Sequence, residues 1–345
     1  LLEYLENVDI EEKTTEKGFY MPVQRVSRPN HTFRGFQGQV EAGTISVGDE
    51  ITTLPSNEKA HVKSLLVGDK KAETIEKGQP VTIQLDREVD VSRGCVLEKD
   101  TDIKVSSSIT ATLLWMDDDI LENGKNYFVK LGTKMIPGIV TEIVHTVDVN
   151  TGEEKKADKL SKNEIALCTI SLADKIVVDE FKNHKTLGEL ILIDRVTNMT
   201  SACGVVEKVN EGGEGLFAGR VDRNVRAALN GQKAVAIAFP VERQGVSRSL
   251  LEKVEKELSI QGKHTYLYAP GSEENISDVI KHLHHAGVIT LLLVEEKYAS
   301  TVRIASEEYY HVLPEDIKVE TDEIVKYIDE LSAYDVRVAG NGEFI

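Results

Sequence analysis

Ala234–Ser249, AVAIAFPVERQGVSRS, decides how the last third of this chain is read. Ala234–Phe239 is an apolar run of strand length. A loop follows, and Leu250–Leu258, LLEKVEKEL, has helical spacing. This is the layout of a phosphate-binding strand–loop–helix, but the chemistry differs. A phosphate loop begins with Gly and ends Gly-Lys-Ser/Thr, so that backbone amides close on the phosphates and the lysine reaches their far end. Here Val241 holds the first glycine slot, and the last triplet is Val246, Ser247 and Arg248 or Ser249, according to the frame. A β-branched residue resists the backbone angles that such a cradle needs. The stretch predicts a phosphate-binding frame that has lost its phosphate chemistry. The alternative is an ordinary βα unit that never bound phosphate. Arg243, Gly245, Ser247, Arg248 and Ser249 are the positions left to meet an anion or a nucleotide.

The composition sets the wider limits. A chain of 345 residues predicts about two or three domains. Hydrophobic residues at 41% and charged residues at 29% describe a globular protein with real cores. A net charge of −17 repels a phosphate backbone and gives no basic footprint for nucleic acid. Cys95, Cys168 and Cys203 are scattered, with no CxxC and no zinc spacing. Three unpaired cysteines suit a reducing cytoplasm. Apolar runs such as Val288–Val294 are too short to span a bilayer, so no membrane role is expected. No signal peptide is visible, and the opening LLEYLENVDIEEK lacks an initiator Met. It reads as the end of a helix and predicts a fragment of a longer protein.

Residues 1–15 read as a helix tail and linker. Residues 16–104 carry short Val/Ile/Leu/Thr runs broken by Gly turns, which predicts a closed barrel or sandwich. Gly43 and Gly48 are expected to supply positive backbone torsions there. Residues 105–207 repeat the texture as a second barrel. Its acidic segment MDDDILENG reads as a solvated loop, since it lacks the Gly and closing Glu of a calcium site. The acidic Gly-rich segment Val209–Gly219 places a linker at 208–229. From 230 to 345, strands alternate with helices, which implies a parallel sheet. The expected elements are strands at Ala234–Phe239, His264–Tyr268 and Val288–Val294, with helices to about Ile260, at Ile276–His285 and at Thr321–Leu331.

Several motifs carry a family resemblance. FRGFQGQVEAGTISVGDEITTLP (Phe33–Pro55) and LDREVDVSRG (Leu85–Gly94) resemble barrel motifs shared by translation-factor GTPases. In the second barrel, LLWMDD (Leu113–Asp118), NYFVKLGT (Asn126–Thr133), VDVNTGE (Val147–Glu153), LSKNEIA (Leu160–Ala166) and GELILIDRVTNMTSACG (Gly188–Gly204) resemble the large, GTP-binding subunit of bacterial sulfate adenylyltransferase in order and spacing. The opening helix resembles the one that closes that family's GTPase domain. The phosphate loop, switches and guanine motif of that domain have no counterpart here, so no GTP site is carried over.

The last part resembles adenylylsulfate kinase. LEKVEKELSIQGKHTYLY (Leu251–Tyr268) is similar to its first helix and second strand, and HAGVITLLLV (His285–Val294) to the next strand. EDIKVETDEIVKYIDEL (Glu315–Leu331) is similar to its closing strand and helix. That family's Asp-Gly-Asp after the second strand is Ala269-Pro270-Gly271 here, which removes the metal-holding carboxylates. The resemblance thus implies two all-β translation-factor-type barrels followed by a degenerate, P-loop-kinase-like α/β domain. It implies a part in sulfate activation, in which ATP and sulfate give adenylylsulfate and diphosphate, driven by GTP. The implied partner is the small catalytic subunit, with adenylylsulfate or an adenine nucleotide as a possible ligand of the last domain. GTP, ATP and Mg belong to the parent family, and no cofactor, metal or catalytic residue is expected in this chain. Two other readings stand beside this one: barrels that bind transfer RNA or the ribosome, and a working adenylylsulfate kinase.

Other residues invite a functional reading. Trp115, the only tryptophan, and Arg34 are candidates for an interface. His282, His284 and His285 form a cluster in which His282 and His285 would share a helix face. Two imidazoles at that spacing can bind a metal, but no Cys or carboxylate is placed to complete a site, so the cluster reads as a half-exposed helix end or a pH-sensitive contact. Asp148 and Asn150 read as turn residues.

Overall fold

The computed structural model describes residues 2–8, 18–210, 221–271, 275–300, 302 and 309–334. The linker expected after the opening helix, and most of the Gly-rich stretch 209–219, lie outside the described residues. By packing density the chain divides into two compact units. One comprises residues 1–105, 131–134 and 176–189; the other comprises 106–130, 135–175 and 190–345.

In the first unit, an antiparallel sheet runs in the order Phe19–Pro22, Val96–Lys99, Glu50–Leu54, Glu58–Val67, Pro80–Leu85, Phe33–Gln39, Arg25–Asn30. Its apolar side chains, including Phe19, Met21, Phe36, Ile51, Leu65 and Ile83, meet in one core. The alternation of a half-buried strand is visible in Glu58–Val67, where Ala60 and Val62 point inward. The next inward residue is Leu65, because a register shift between Val62 and Ser64 inserts an extra residue and moves the inward set by one.

Gly43 has φ +65° and Gly48 φ +91°, the torsions expected of them. At Gly43 the backbone of Gly18 also presses close, and an added Cβ would lie 2.3 Å from its carbonyl oxygen. Strain and collision therefore act together. Gly43→Ala is expected to cost about 2 kcal/mol or more, read as a lower urea midpoint at unchanged slope. Gly48→Ala meets the torsional penalty alone, since nothing lies within 4 Å of its Cβ position, and should cost about 1 kcal/mol.

The other unit holds most of a second barrel. Its strands run Asn126–Leu131, Glu189–Ile193, Thr200–Val209, Lys104–Trp115, Ile165–Val178, Lys134–Val147, with Glu154–Lys155 beyond them. Pairing of the first strand with Lys134–Val147 closes the ring. Trp115 and Tyr127 are fully buried within it, edge to face at 5.7 Å.

Residues 230–334 of that unit form a four-stranded parallel sheet, in the order Thr265–Tyr268, Ile289–Val294, Ala236–Pro240, Tyr310–Val312. The central strand is apolar throughout because both of its faces are covered. Val235, Ile237 and Phe239 pack with Leu251, Val254 and Leu258 of the helix Arg248–Ile260, and with Ile324, Val325 and Ile328 of the helix Thr321–Leu331. Ala236 and Ala238 face the other way, toward Ile280 of the helix Ile276–His285.

Two expectations are corrected here. Glu315–Leu331 supplies the last helix but no strand, since the closing strand is Tyr310–Val312. The carbonyls of residues 313–315 and 317 turn to the Arg243 guanidinium, while Ile317 and Val319 pack on the core. The span 208–229, read as a linker, holds the end of the strand Thr200–Val209 and the helix Arg223–Asn230. The carbonyl of Leu229 at that helix's end accepts hydrogen bonds from Asn126 and Arg195, which satisfies a group the helix leaves open. Among the described residues no helix is long and apolar enough to cross a membrane.

Candidate functional site

The loop after the central strand is built to close on itself. The Val241 amide donates to the Val294 carbonyl at 3.0 Å, that of Arg243 to Pro240 at 3.1 Å and that of Val246 to Arg243 at 3.1 Å. These amides would have to point outward to hold phosphates, and here they are spent on protein carbonyls. Gly245 has φ +90° and tolerates the turn. Ser247 caps the helix Arg248–Ile260, its Oγ accepting from the Leu250 amide at 3.2 Å. Arg248 pairs with Glu252 one turn later at 3.1 Å, and Ser249 is exposed.

Arg243 is the decisive residue. Its Nη1 donates to the carbonyls of Leu313 at 2.8 Å and Pro314 at 2.7 Å. Its Nη2 donates to Glu315 at 3.3 Å and Ile317 at 2.5 Å. The guanidinium staples the segment after the closing strand and is not free to face an anion. The five candidate positions therefore lie together on the loop and the first turn of the helix, as the sequence implies, but Arg243, Ser247 and Arg248 spend their polar groups on the protein. The loop does not fit a nucleoside triphosphate and its metal.

Beside it, the carboxyl ends of the strands Ala236–Pro240, Thr265–Tyr268 and Ile289–Val294 open into a cleft of about 610 Å³. Open α/β sheets bind ligands at that edge. Val241, Pro270, Ile276, Glu295 and Tyr298 are among its walls. Glu295 is held by Lys297 at 2.6 Å. A second cleft of about 510 Å³ carries Lys125, Arg195, Lys263 and Asp329. Burial raises the Asp329 carboxyl above its ordinary value, against the pull of Lys263 at 3.7 Å.

The interface candidates turn inward. Trp115 is fully buried and its Nε1–H donates to the Asp119 carbonyl at 2.7 Å. A large ring on an inward strand position fills the barrel, so it offers no surface. Arg34 lies over the Phe36 ring and binds Glu88 at 2.7 Å. It also donates to the carbonyls of Val89 at 2.8 Å and Val91 at 2.9 Å. It fastens its own barrel's 88–91 segment. The acidic loop is pinned as well: Asp117 accepts from Ser201 Oγ at 2.6 Å and Asp118 pairs with Lys162 at 2.6 Å. Asp148 accepts from the amides of Asn150 and Thr151, as a turn residue does. All three cysteines are free thiols, and burial pushes Cys168 up to about 12.

The histidine that matters is one the spacing argument passed over. His282 is exposed and bonds the Asp278 carbonyl of its own helix, and His285 is exposed. His284 is buried at 3% exposure. Its Nε2 accepts from Arg223 Nη1 at 2.8 Å, so the ring is neutral with its proton on Nδ1. Tyr309 lies against His284 at 4.7 Å and under the Arg223 guanidinium at 4.3 Å, with Lys233 4.9 Å from the same ring. Burial, then Arg223, depresses the histidine to about 4. An unfolded histidine titrates near 6.5, so as pH falls the unfolded chain takes the proton first. The histidine's contribution is fully present above about pH 6.5, is lost between there and about pH 4, and does not change below. The expected loss is about 2 kcal/mol, less than the full shift implies, because water reaches part of the cluster. Urea unfolding at pH 7 and 4.5 should show that loss in the native chain and not in His284→Gln.

Residues 108–207 match the family model described as GTP-eEF1A C-terminal domain-like. A structure of Sup35 complexed with GMPPNP aligns with a TM-score of 0.54 at 20% identity, over 61% of this chain and 52% of that one. That likeness shows the translation-factor-like β fold alone. The sulfate adenylyltransferase subunit 1 of Teredinibacter turnerae is 38% identical over 206 residues, 59% of this chain and 44% of the relative. The bifunctional enzyme NodQ of a Rhizobium species is 32% identical over 270 residues, 77% of this chain and 43% of the relative. The bifunctional enzyme CysN/CysC of Xylella fastidiosa is 34% identical over 273 residues, again 77% and 43%. The chain thus spans less than half the length of these curated relatives.

Proposed function

We propose that this chain is the portion of a sulfate adenylyltransferase large subunit beyond its GTPase domain, joined to a degenerate adenylylsulfate-kinase-like domain. One observation carries the reading. Similarity to subunit 1 covers about 60% of the chain, whereas similarity to the bifunctional enzymes reaches 77%, into the α/β part. The barrels then dock the small catalytic subunit in the cytoplasm and couple it to the GTPase. GTP, ATP and Mg are held outside this chain. The α/β part is a scaffold or a ligand sensor without phosphoryl transfer, which the self-closed loop and stapled Arg243 support. A net charge of −17 disfavours the RNA-binding alternative.

The test is to mix the purified chain with the small catalytic subunit of the same organism. A stoichiometric complex on size exclusion is expected, with no adenylylsulfate made by the chain alone. Synthesis by the chain alone, or no complex together with tight RNA binding at physiological salt, overturns the reading.

A further inference from the structure

We infer that the 610 Å³ cleft at the carboxyl edge of the parallel sheet takes an uncharged nucleoside in preference to its phosphates. The inference rests on the degenerate-kinase reading and names the ligand class of that domain.

Size and position come first. The cleft falls within the range of small-molecule sites, roughly 300–1,000 Å³, and lies at the edge where α/β sheets bind ligands. Its walls give apolar area from Val241, Pro270 and Ile276, and an aromatic ring from Tyr298, which is 42% exposed. Bases stack on such rings without regard to charge. The Glu295 carboxylate can accept from a pair of ribose hydroxyls, as an acidic residue does in dinucleotide sites.

Charge then decides against phosphate. Among the described residues, no Lys, Arg or His lines the cleft. The nearby ammonium of Lys297 is paired with Glu295 at 2.6 Å and also lies 4.6 Å from the Tyr298 ring. Glu242 stands alongside, its Oε2 accepting from the Glu296 amide at 2.9 Å. The helix Ile276–His285 begins at the cleft, but its positive end is already served. Asn275 caps it and the Asp278 carboxylate occupies its first turn. Meanwhile groups that would recognise phosphate, the Arg243 guanidinium and the amides of Val241, Arg243 and Val246, are turned into the protein. A nucleoside keeps its stacking and hydroxyl contacts here, whereas each added phosphate brings negative charge toward carboxylates, with only the Lys297 ammonium, already paired with Glu295, close by.

The test is calorimetric titration of the whole chain with adenosine, AMP, ADP, ATP and adenylylsulfate, with and without Mg²⁺. Adenosine should bind most tightly. Affinity should fall with each phosphate, by at least tenfold from adenosine to ADP, and the gap should narrow at high salt. Glu295→Gln should weaken adenosine by fivefold or more while narrowing the gap to ADP. Tyr298→Ala should weaken all ligands alike. Tighter binding of ADP or adenylylsulfate than of adenosine overturns the inference and leaves the degenerate-kinase reading in place. Failure of adenosine to bind overturns it as well, and the docking reading then stands or falls on the small-subunit experiment.

Discussion

Gln232→Ala is expected to cost about 4 kcal/mol and to loosen the parallel sheet from its amino edge. Gln232 is fully buried just before the central strand. Its Nε2 donates to the carbonyls of His264 at 3.0 Å and Gly287 at 2.8 Å, and its Oε1 accepts from the His264 amide at 2.8 Å. One amide side chain therefore ties together the approaches to the strands Thr265–Tyr268 and Ile289–Val294. Alanine would strand the buried Gly287 carbonyl away from water, at about 1–3 kcal/mol, remove the two bonds to the backbone of His264, and leave a cavity besides. Gln232→Glu keeps the shape but loses both donated bonds and buries a carboxylate, so it should be no better. The readout is built into the chain. Trp115 is the only tryptophan and sits inside the second barrel, so its fluorescence reports the barrel, while helical circular dichroism reports mainly the α/β part. The circular dichroism transition should move to lower urea and the Trp115 transition should move less. Equal stability of variant and native chain would mean that the Gln232 bonds contribute nothing net.

Arg243→Ala is expected to cost about 3 kcal/mol and to free the segment between the closing strand and the last helix. Four carbonyls share the guanidinium, and bonds to a charged donor contribute about 1.5–3 kcal/mol each where they are dry, less at this half-exposed site. Amides of residues 313–319 should exchange faster by about two orders of magnitude. Arg243→Lys should recover less than half of the loss, since an ammonium cannot reach four acceptors spread around a planar fork. The contrary outcome is as informative. If Arg243→Ala left stability and exchange unchanged but abolished binding of a phosphate ligand, the residue would be an anion ligand after all, and the staple would be incidental.

Much of the α/β part is legible from local pattern. The helix Thr321–Leu331 puts Ile324, Val325 and Ile328 on one face, and the helix Ile276–His285 opens on an Asn cap and closes on basic residues. The strands are apolar runs of the right length. The strand Tyr310–Val312 is only three residues long and is not apolar throughout, so it has no pattern of its own and exists only because Ala236–Ala238 pairs with it. The helix Arg223–Asn230 stands beside a Gly-rich stretch whose composition masks it. Its anchors, Arg195 and Asn126, lie far away in sequence.

The candidate site divides the same way. Absence of a phosphate cradle could be read directly, because glycine and lysine at fixed offsets are a local requirement and Val241 and Val246 violate it. What the remaining polar groups do instead could not be read. Arg243 finds its four acceptors 70 or more residues away, Arg223 meets His284 across 61 residues, and Trp115 and Arg34 turn to their own barrels. The sequence by itself determined the longer strands and helices of the α/β part, though not Tyr310–Val312 or Arg223–Asn230, and that the loop after the central strand lacks the glycines and lysine of a phosphate cradle. The tertiary structure decided whether each charged or aromatic side chain would be a ligand or a brace. Backbone propensity and hydrophobic period act over a few residues, whereas a long polar side chain binds whatever the folded chain brings within 3 Å of it.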